Sequence, residues 1–488
     1  MIGRTLATVL VACAACSAPI GPVGNGGADS GAGEALEPGL RGEYYAGFHD
    51  LVLDRVDPQI DFVWGDDEPV PGAGVDRFSV RWRGYLEVPA AGSYTLLTSN
   101  DDGVRVTLGD ARIIDDWSFH AASRREATID LAAGRMPIVI DYFDVAQHAE
   151  MRLSWRASDI GIDEQIIPSE NLRAAPDASD LEGVKPPYQN PVVDRDCPDP
   201  GVTFAGDAYY MVCTGGAFPI QRSRDLVTWA PTGRAVLPGG KAPWSANGGR
   251  NWAPEIHQVG NRYVAYFTAV NGANVLSIGA ASAPSIEGPY TDRGGPLVEN
   301  ASGVIDASFI RDTDGTPYLT YKIDGNSVGQ ATPIYIRRLA PDGLSFAPGS
   351  TPVEILRNAP STWEGGVVEA PWIVERDGTY YLFYSGNVYD HRYRTGVARA
   401  SSVTGPYTKR SAPILTNNAR WVGPGHGSVV PAGGDLYFVY HAWAATAQGT
   451  AGPGGRRVLV DKIEWSADGW PQIANGSPSA TLQIWPGL

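Results

Sequence analysis

The second half of the chain repeats one short pattern, and this repeat constrains the fold more than any other feature of the sequence. Each copy reads Gly-x-x-Tyr-x-x-Tyr, except the first, which has Val212 in the last position. Successive copies begin 54 to 63 residues apart, with their first tyrosines at Tyr209, Tyr263, Tyr318, Tyr381 and Tyr437. Five units of this size, each with several short strands, predict a five-bladed β-propeller. The alternative, an open sandwich, requires five coincidental hairpins.

Each of these units also carries one ionisable residue shortly before its hairpin. The five are Asp199, Glu255, Asp306, Glu369 and His426. The first strands of propeller blades line the central axis, so we expect these side chains to meet at one mouth of the channel. A single such charge is typical of a structural ion pair, but five at matching positions favour a site. Close carboxylates repel each other and separate their pKa values, which provides the proton donor and acceptor that glycosidic bond hydrolysis requires.

The first half of the chain has a different periodicity. Apolar and polar residues alternate from 39 to 173, as in RFSVRWRGYLEV and GSYTLLTS, and this period of two predicts an antiparallel β-sandwich. The whole chain is therefore expected to be all-β, with the sandwich at 39–173 and the propeller at 190–488. A tether over 17–38, rich in Gly, Ala and Pro, precedes the sandwich, and a linker over 174–189 separates the two units.

The N-terminus over 1–16 reads as an export signal. Arg4 precedes the apolar run from Leu6 to Ala12, and Cys13 follows Leu-Val-Ala in the manner of a bacterial lipoprotein. We therefore expect a protein anchored by lipid at the cell surface, on the bacterial outer membrane, or a secreted one if the signal is simply cleaved. In an oxidising compartment Cys197 and Cys213 can form a disulfide, and two free buried thiols are the alternative.

Composition narrows the range of partners. The chain has 54 Asp and Glu against 38 Lys and Arg, a formal net charge of −16, which argues against nucleic acid and anionic membrane surfaces. After the signal, no stretch of the sequence approaches the ~20 apolar residues of a transmembrane helix.

The first unit resembles the protective-antigen-type carbohydrate-binding domain over its whole length, from GLRGEYYAGF to LLTSNDDGVRVTLGDARIIDDW. In sugar-binding members of that family the paired aspartates of the Asp-Asp-Gly motif can ligate calcium, which in turn holds sugar hydroxyls. The resemblance therefore implies a calcium ion at Asp101 and Asp102. The alternative is that Asp-Asp-Gly only forms the turn between two strands.

The second unit resembles glycoside hydrolase family 43 in CPDPGV, VIDASFIRDTDGTPYLTY, VVEAPWIVERDGTYYLFYSG and GPGHGSVV. The resemblance implies that Asp199 is the general base that activates water and that Glu369 is the general acid. Asp306 matches the carboxylate that holds the acid in place and tunes its pKa. His426 matches the axial histidine that in many members contacts a hydrated calcium ion. Members act by inversion, mostly on α-L-arabinofuranosyl and β-D-xylosyl linkages, with some exo-galactosidases.

Four further residues are candidates for sugar contacts. Trp252 and Glu255 lie in WAPEI, where they either shape the sugar pocket or pack the blade, and Arg456 and Arg457 lie where family members often have a substrate-contacting arginine. The sequence lacks the Asn-Asp-Pro-Asn-Gly nucleophile motif of retaining five-bladed relatives, which favours inversion.

The predicted function is an inverting exo-glycosidase of plant-type polysaccharides, foremost an α-L-arabinofuranosidase, which the sandwich holds on its substrate. The alternatives are a β-xylosidase, an exo-galactosidase and an inactive carbohydrate-binding propeller. The presence of all three carboxylates favours an enzyme.

Overall fold

The computed structural model describes residues 36–109, 111–175, 187–481, 483 and 486. The signal region, most of the tether and linker residues 176–186 lie outside the described residues, so the lipidation of Cys13 stays a prediction. By its internal contacts the chain divides into two units, Met1–Pro186 and Pro187–Leu488.

The described residues form strands and short 3₁₀ turns, and they contain no α-helix, which confirms the predicted all-β class. Accordingly, a helix able to cross a membrane is not found among them. The 3₁₀ turns are Ser158–Ile160, Ser169–Asn171, Gly325–Val328 and Ala474–Gly476.

The first unit is the predicted sandwich and contains strands β1 to β12. In chain order these are Leu40–Ala46, Asp50–Asp57, Asp61–Gly65, Phe78–Val88, Gly92–Asp101, Gly103–Leu108, Ala111–Asp116, Ser123–Leu131, Gly134–Asp144, Ala149–Ala157, Ile162–Ile166 and Leu172–Ala174. One sheet has the order β2-β1-β4-β9-β6-β7, with β12 beside β4. The other has the order β11-β10-β5-β8, with β3 beside β10.

One apolar core lies in this sandwich. Its side chains come from the alternation of apolar and polar residues along the strands. Along β4, Val80, Trp82 and Leu86 are buried, while Arg81 and Tyr85 between them are half-buried. Because alternate residues of a strand point to opposite faces, each strand contributes one apolar face to the core.

The second unit is the predicted propeller and contains strands β13 to β32 in five sheets of four. Blades one and two are Gly201–Ala205, Ala208–Val212, Pro219–Ser223, Ala230–Ala235, Trp252–Val259, Arg262–Val270, Leu276–Ala283 and Thr291–Asp292. Blades three and four are Val304–Arg311, Pro317–Ile323, Ile334–Arg338, Val353–Leu356, Val368–Arg376, Thr379–Gly386, Arg394–Ala400 and Thr408–Lys409. Blade five is Trp421–Ala432, Asp435–Ala445, Ala451–Trp465 and Pro471–Ile473.

The five blades close into a ring. The first strand of each blade packs beside those of its neighbours, and β13 of blade one lies next to β29 of blade five. The segment before blade one strengthens this closure, because the buried Asn190 amide donates to the carbonyl of Val460 at 3.1 Å and accepts from its N–H at 3.0 Å. Asn190 thus joins the beginning of the unit to its last blade.

The glycine and the tyrosines of the repeated sequence pattern each have a structural role. The glycine of every copy has a positive φ, between 62° and 87°, which glycine adopts without steric cost. In the hairpin between β25 and β26, Asp377 and Gly378 both have positive φ, as the type I′ turn requires. The tyrosines link blades, since the Tyr381 hydroxyl of blade four donates to the carbonyl of Gly469 in blade five at 2.8 Å.

The two cysteines of blade one form a disulfide. The Cα atoms of Cys197 and Cys213 are 5.2 Å apart. The bond ties the segment that contains Asp199 to the end of β14, the second strand of the same blade.

Candidate functional site

The five ionisable residues that precede the hairpins, from here on called the ring residues, lie in segments of irregular backbone. Asp199, Asp306 and His426 have φ values of 55°, 58° and 45°, in the left-handed region that side chains other than glycine rarely adopt. The strands β21, β25 and β29 also lose their regular pairing at this level, as between Glu369 and Trp372. Bulges of this kind re-aim side chains, and strained backbone clusters at functional sites.

The propeller encloses a cavity of about 270 Å³. Six of the predicted site residues line it, and these are Asp199, Trp252, Asp306, Glu369, His426 and Arg456. The structure therefore brings together residues from all five blades, including four members of the predicted ring.

Two predicted residues lie outside the wall of this cavity. The Glu255 Oε2 atom pairs with His257 Nε2 at 2.7 Å, and Arg457 forms an ion pair with Asp194. In the described part of the chain neither Glu255 nor Arg457 lines the cavity. These contacts give Glu255 and Arg457 structural partners, and sugar contacts by the two residues stay a prediction.

Asp199 is buried among hydrogen-bond donors. Its Oδ1 lies 3.0 Å from Arg456 Nη1 and 3.2 Å from His426 Nδ1, and its Oδ2 accepts from Thr214 Oγ1 at 2.6 Å. Burial raises the pKa of a carboxyl group, but the charges of Arg456 and His426 hold the pKa of Asp199 well below its usual range. Asp199 is therefore ionised, as a group that takes a proton from water must be.

Two histidines beside Asp199 have opposite pKa shifts. Burial opposes the charged form of His426, yet the carboxylate of Asp199 raises its pKa. His441 accepts the backbone N–H of Asp199 at its Nδ1, at 3.1 Å, and burial lowers the pKa of His441 to about 4. Its ring stacks on that of Tyr393, with centroids 5.7 Å apart. Asp199 thus favours the charged form of His426, and the neutral His441 positions the backbone of Asp199.

Glu369 accepts hydrogen bonds at both carboxylate oxygens. The Lys322 ammonium donates to Oε2 at 2.9 Å, and the Tyr393 hydroxyl donates to Oε1 at 2.8 Å. Lys322 is fully buried and also pairs with Asp324 at 3.0 Å. Burial favours the neutral form of Glu369, but the charge of Lys322 lowers its pKa. The free site therefore stabilises Glu369 as a carboxylate.

Asp306 differs from the other two carboxylates because its described contacts include no ion pair. Its Oδ2 accepts the backbone N–H of Ala370 at 2.9 Å, which places it against the chain next to Glu369. Burial, together with the negative charge of Glu369, raises the pKa of Asp306 to about 7. Of the pair Asp306 and Glu369, Asp306 therefore has the higher proton affinity in the free site.

The sequence did not indicate Lys322 or His441 as site residues. Lys322 lies in PYLTYKI and His441 in LYFVYHAWAA, both strands of apolar neighbours, where a polar side chain is as unexpected as Glu369 in VVEAPWIV. A polar residue in an apolar strand is itself a signal, since its burial is costly unless the side chain is paired or used. Tyr393 lies just before β27, in a loop over Asp390 to Tyr393 that the sequence allows to close a pocket, but its hydrogen bond to Glu369 could not be predicted.

A second group of buried carboxylates lies in the sandwich. One ligand oxygen each of Asp101, Asp102 and Asp144 lies within 4.8 Å of the others. Within the described residues neither oxygen of Asp144 has a hydrogen-bond partner. Burial, together with the charge of Asp102, raises the pKa of Asp144 to about 8. Three converging carboxylates, of which Asp144 has no hydrogen-bond partner in the described part of the chain, fit a hard cation such as Ca²⁺, and Asp144 is a candidate ligand that the sequence did not indicate.

The position beside His426 fits a directly bound Ca²⁺ less well. Calcium takes oxygen ligands, whereas His426 offers nitrogens and its Nδ1 lies against Asp199. Among the residues described, three His, Cys, Asp or Glu ligands converge only at the sandwich cluster. A hydrated ion near His426 stays a prediction, and no catalytic step is derived from it.

Buried carboxylates of unequal proton affinity, gathered in one cavity of a five-bladed propeller, are suited to the hydrolysis of a glycosidic bond. The family model described as glycosyl hydrolases family 43 matches residues 188–471, more than half of the chain, and a PA14 domain model matches residues 36–167. The chain therefore belongs to glycosyl hydrolases family 43, and both resemblances are confirmed.

Two similar proteins are named as an arabinosidase and an arabinofuranosidase, and a third is named as an anti-sigma-I factor. The chain is 30% identical over 325 residues to the arabinan endo-1,5-alpha-L-arabinosidase C of Emericella nidulans, a match that covers 60% of this chain and 97% of that protein. It is 26% identical over 317 residues to an extracellular exo-alpha-(1->5)-L-arabinofuranosidase of Cellvibrio japonicus, over 57% and 86% of the two chains. It is also 38% identical over 137 residues to the anti-sigma-I factor RsgI3 of Acetivibrio thermocellus, over 28% of this chain and 21% of that protein.

Solved structures give the same result. A thermostable family-43 glycoside hydrolase has a TM-score of 0.55 and 29% identity, over 61% of this chain and 99% of that one. The xylan beta-1,4-xylosidase of Bacillus halodurans has a TM-score of 0.53 and 25% identity, over 62% and 59%.

Proposed function

We propose that the propeller is an inverting exo-glycosidase that releases a terminal sugar from a polysaccharide, foremost an α-L-arabinofuranosyl residue. One observation carries the proposal. Asp199, Asp306 and Glu369 line a single cavity, and each has a different electrostatic environment. Asp199 is suited to accept a proton, and the pair Asp306 and Glu369 is suited to supply one.

In the proposed reaction the carboxylate of Asp199 takes a proton from a water molecule whose oxygen attacks the anomeric carbon. The bond between that carbon and the glycosidic oxygen breaks, and Glu369 protonates the leaving oxygen. Because Asp306 holds the shared proton in the free site, substrate binding has to move it to Glu369 before the bond breaks. Displacement of the Lys322 ammonium from Glu369 by the sugar would favour that transfer, since it removes the charge that stabilises the carboxylate.

The size of the cavity supports exo action. About 270 Å³ is at the small end of ligand pockets, which span about 300–1,000 Å³. A cavity of that size suits one pentose ring better than the middle of a polymer. An exo enzyme releases only monosaccharide from the first moments of a digest, so the products from a linear arabinan over time test this part of the proposal.

The arabinofuranosyl preference is supported by the relatives, of which two are named for arabinan or α-L-arabinofuranosyl linkages. A xylosidase is among the similar structures, so β-D-xylosides are the second candidate. A panel of aryl α-L-arabinofuranosides, β-D-xylosides and β-D-galactosides separates the candidates by kcat/KM. A β-D-xyloside preferred over the α-L-arabinofuranoside by tenfold or more would contradict the assignment.

We further propose that the sandwich binds Ca²⁺ at Asp101, Asp102 and Asp144 and uses it to hold polysaccharide. The unpartnered, fully buried Asp144 supports the ion. Removal of the sandwich is expected to leave activity on small aryl glycosides intact and to reduce activity on polymer only. Loss of both would mean that the sandwich takes part in the active site.

Export is proposed on the basis of the N-terminal signal and of the word extracellular in the name of the relative from Cellvibrio japonicus. Lipidation at Cys13 would anchor the enzyme to the bacterial outer membrane, and ordinary cleavage would release it. A fatty-acid probe should label the wild-type protein and not the Cys13→Ser variant. Absence of label on the wild type would contradict the anchor.

A further inference from the structure

An exposed aromatic ring lies in the wall of the cavity. Tyr389 lines the cavity but keeps 60% of its surface exposed, whereas Asp199, Asp306 and Lys322 are each less than 10% exposed. A residue that lines a cavity and still faces solvent lies at its mouth. Tyr389 therefore marks the outer end of the cavity, and the carboxylates mark its inner end.

The backbone of Tyr389 is held in place. Its carbonyl accepts a hydrogen bond from Trp443 Nε1 of blade five at 2.9 Å. Two residues earlier, the N–H of Asn387 donates to the carbonyls of Glu364 and Val367 at 2.8 and 3.0 Å. The loop between β26 and β27 is thus attached on both sides, so the ring is presented at a fixed place rather than on a free loop.

Arg456 connects this ring to the reacting end of the cavity. Its guanidinium lies 5.0 Å from the centroid of the Tyr389 ring, and its Nη1 lies 3.0 Å from Asp199 Oδ1. A cation within this distance is attracted to the face of an aromatic ring. The orientation of Tyr389 is therefore coupled to a residue that already contacts the proposed base.

We infer that Tyr389 is an aromatic platform for the sugar on the leaving-group side of the scissile bond, an inference that rests on the proposed exo-glycosidase function. The anomeric carbon of the terminal sugar must reach the carboxylates, so that sugar fills the inner end of the cavity. The next sugar of the chain then lies at the mouth, where Tyr389 is. The C–H face of a sugar ring packs on an aromatic face, which offers a large rigid contact area at small conformational cost.

The test uses the full chain and three variants, Tyr389→Ala, Tyr389→Phe and Phe204→Ala. Phe204 is an exposed aromatic residue of blade one that does not line the cavity, so it controls for the loss of a surface ring. Two quantities are measured, kcat/KM on the trisaccharide of the preferred sugar and the inhibition constant of the free monosaccharide. The trisaccharide reaches past the mouth, whereas the monosaccharide occupies the inner end only.

We expect Tyr389→Ala to lower kcat/KM on the trisaccharide about tenfold, with monosaccharide inhibition unchanged. Tyr389→Phe should restore most of the loss, because it keeps the ring. An unchanged trisaccharide kcat/KM in Tyr389→Ala, or monosaccharide inhibition weakened by the same factor, would overturn the platform while leaving the proposed function in place. A wild-type protein that hydrolyses none of the arabinosyl, xylosyl or galactosyl substrates would overturn both.

Discussion

In the described residues, the propeller and the sandwich each bring a group of three carboxylates together, but only the propeller group has cationic side chains paired with its members. In the propeller, Arg456 and His426 lie next to Asp199, and Lys322 lies next to Glu369. In the sandwich the described contacts of Asp101, Asp102 and Asp144 include no ion pair, and their nearby opposite charges come at most from histidines.

This difference assigns the two groups to different chemistry. Carboxylates with built-in cations keep distinct pKa values without any added ion, so they can exchange protons with a substrate. Carboxylates that have no cation beside them repel each other until one of them is protonated or a metal ion binds between them. We therefore propose that the propeller group transfers protons and that the sandwich group binds a cation.

The largest expected effect is at Asp199. The Asp199→Asn variant should lose about 10³-fold or more in kcat on every substrate, because an amide cannot take a proton from water. Asp207→Asn is the matched control, since Asp207 is an exposed aspartate of the same blade that pairs with Arg222 outside the cavity. An Asp199→Asn enzyme within tenfold of the wild type would refute the role of the base.

The next effect separates Glu369 from Asp306. Glu369→Gln should lose about 10²- to 10⁴-fold on leaving groups of high pKa and much less on activated aryl groups, which depart with little protonation. Asp306→Asn should reduce activity by similar factors on substrates with every leaving group. Since Asp306 holds the proton of the free pair, a steeper dependence on leaving-group pKa in Asp306→Asn than in Glu369→Gln would exchange the two roles.

Calcium should act on the sandwich alone. At a hundred times its Kd, Ca²⁺ stabilises the folded state by about 2.7 kcal/mol, which raises a melting temperature by several degrees. The effect should disappear in Asp144→Asn and persist in Asp115→Asn, a half-exposed aspartate of the same unit that pairs with Arg105. Activity on small aryl glycosides should not respond. A melting temperature that is the same with calcium and with chelator would contradict calcium binding by the sandwich.

The smallest effect is a shift in pH dependence. The wild-type kcat/KM should keep its full value below about pH 7 and fall above it, because the proton shared by Asp306 and Glu369 is lost as the pH rises. On the acid side activity should persist, since the pKa of Asp199 is held well below its usual range.

Lys322→Met should move the basic limb to higher pH by about one unit, because the charge that lowers the pKa of Glu369 is removed. Lys409→Met is the matched control. Lys409 also pairs with a buried glutamate, Glu364, at 2.7 Å, but it lies outside the cavity wall. A basic limb that stays at the same pH in Lys322→Met would make Lys322 a structural residue only.

The sequence was sufficient to predict the architecture because each unit repeats a local rule. The glycine of every hairpin needs a positive φ, and the alternation along strands such as β4 needs only adjacent residues. The ring residues followed from the same repeat, which is why Asp199, Asp306, Glu369 and His426 could be located before the structure.

Contacts between distant strands could not be predicted in the same way. Asp144 joins Asp101 and Asp102 only because β9 pairs with β6, and nothing in the local sequence sets that pairing. Glu255 has the right position in the repeat, but its carboxylate contacts a histidine two residues later on its own strand. A repeat identifies equivalent positions, and the partner of each side chain decides what it does.

We propose that the cation-paired carboxylates of the propeller hydrolyse a glycosidic bond by inversion, with a water molecule between base and substrate. Proton NMR of the first product formed from an aryl glycoside tests this mechanism most directly, before the free sugar equilibrates between its anomers. Inversion predicts that the first sugar released has the anomeric configuration opposite to that of the substrate. Release of the same anomer as in the substrate would rule out inversion.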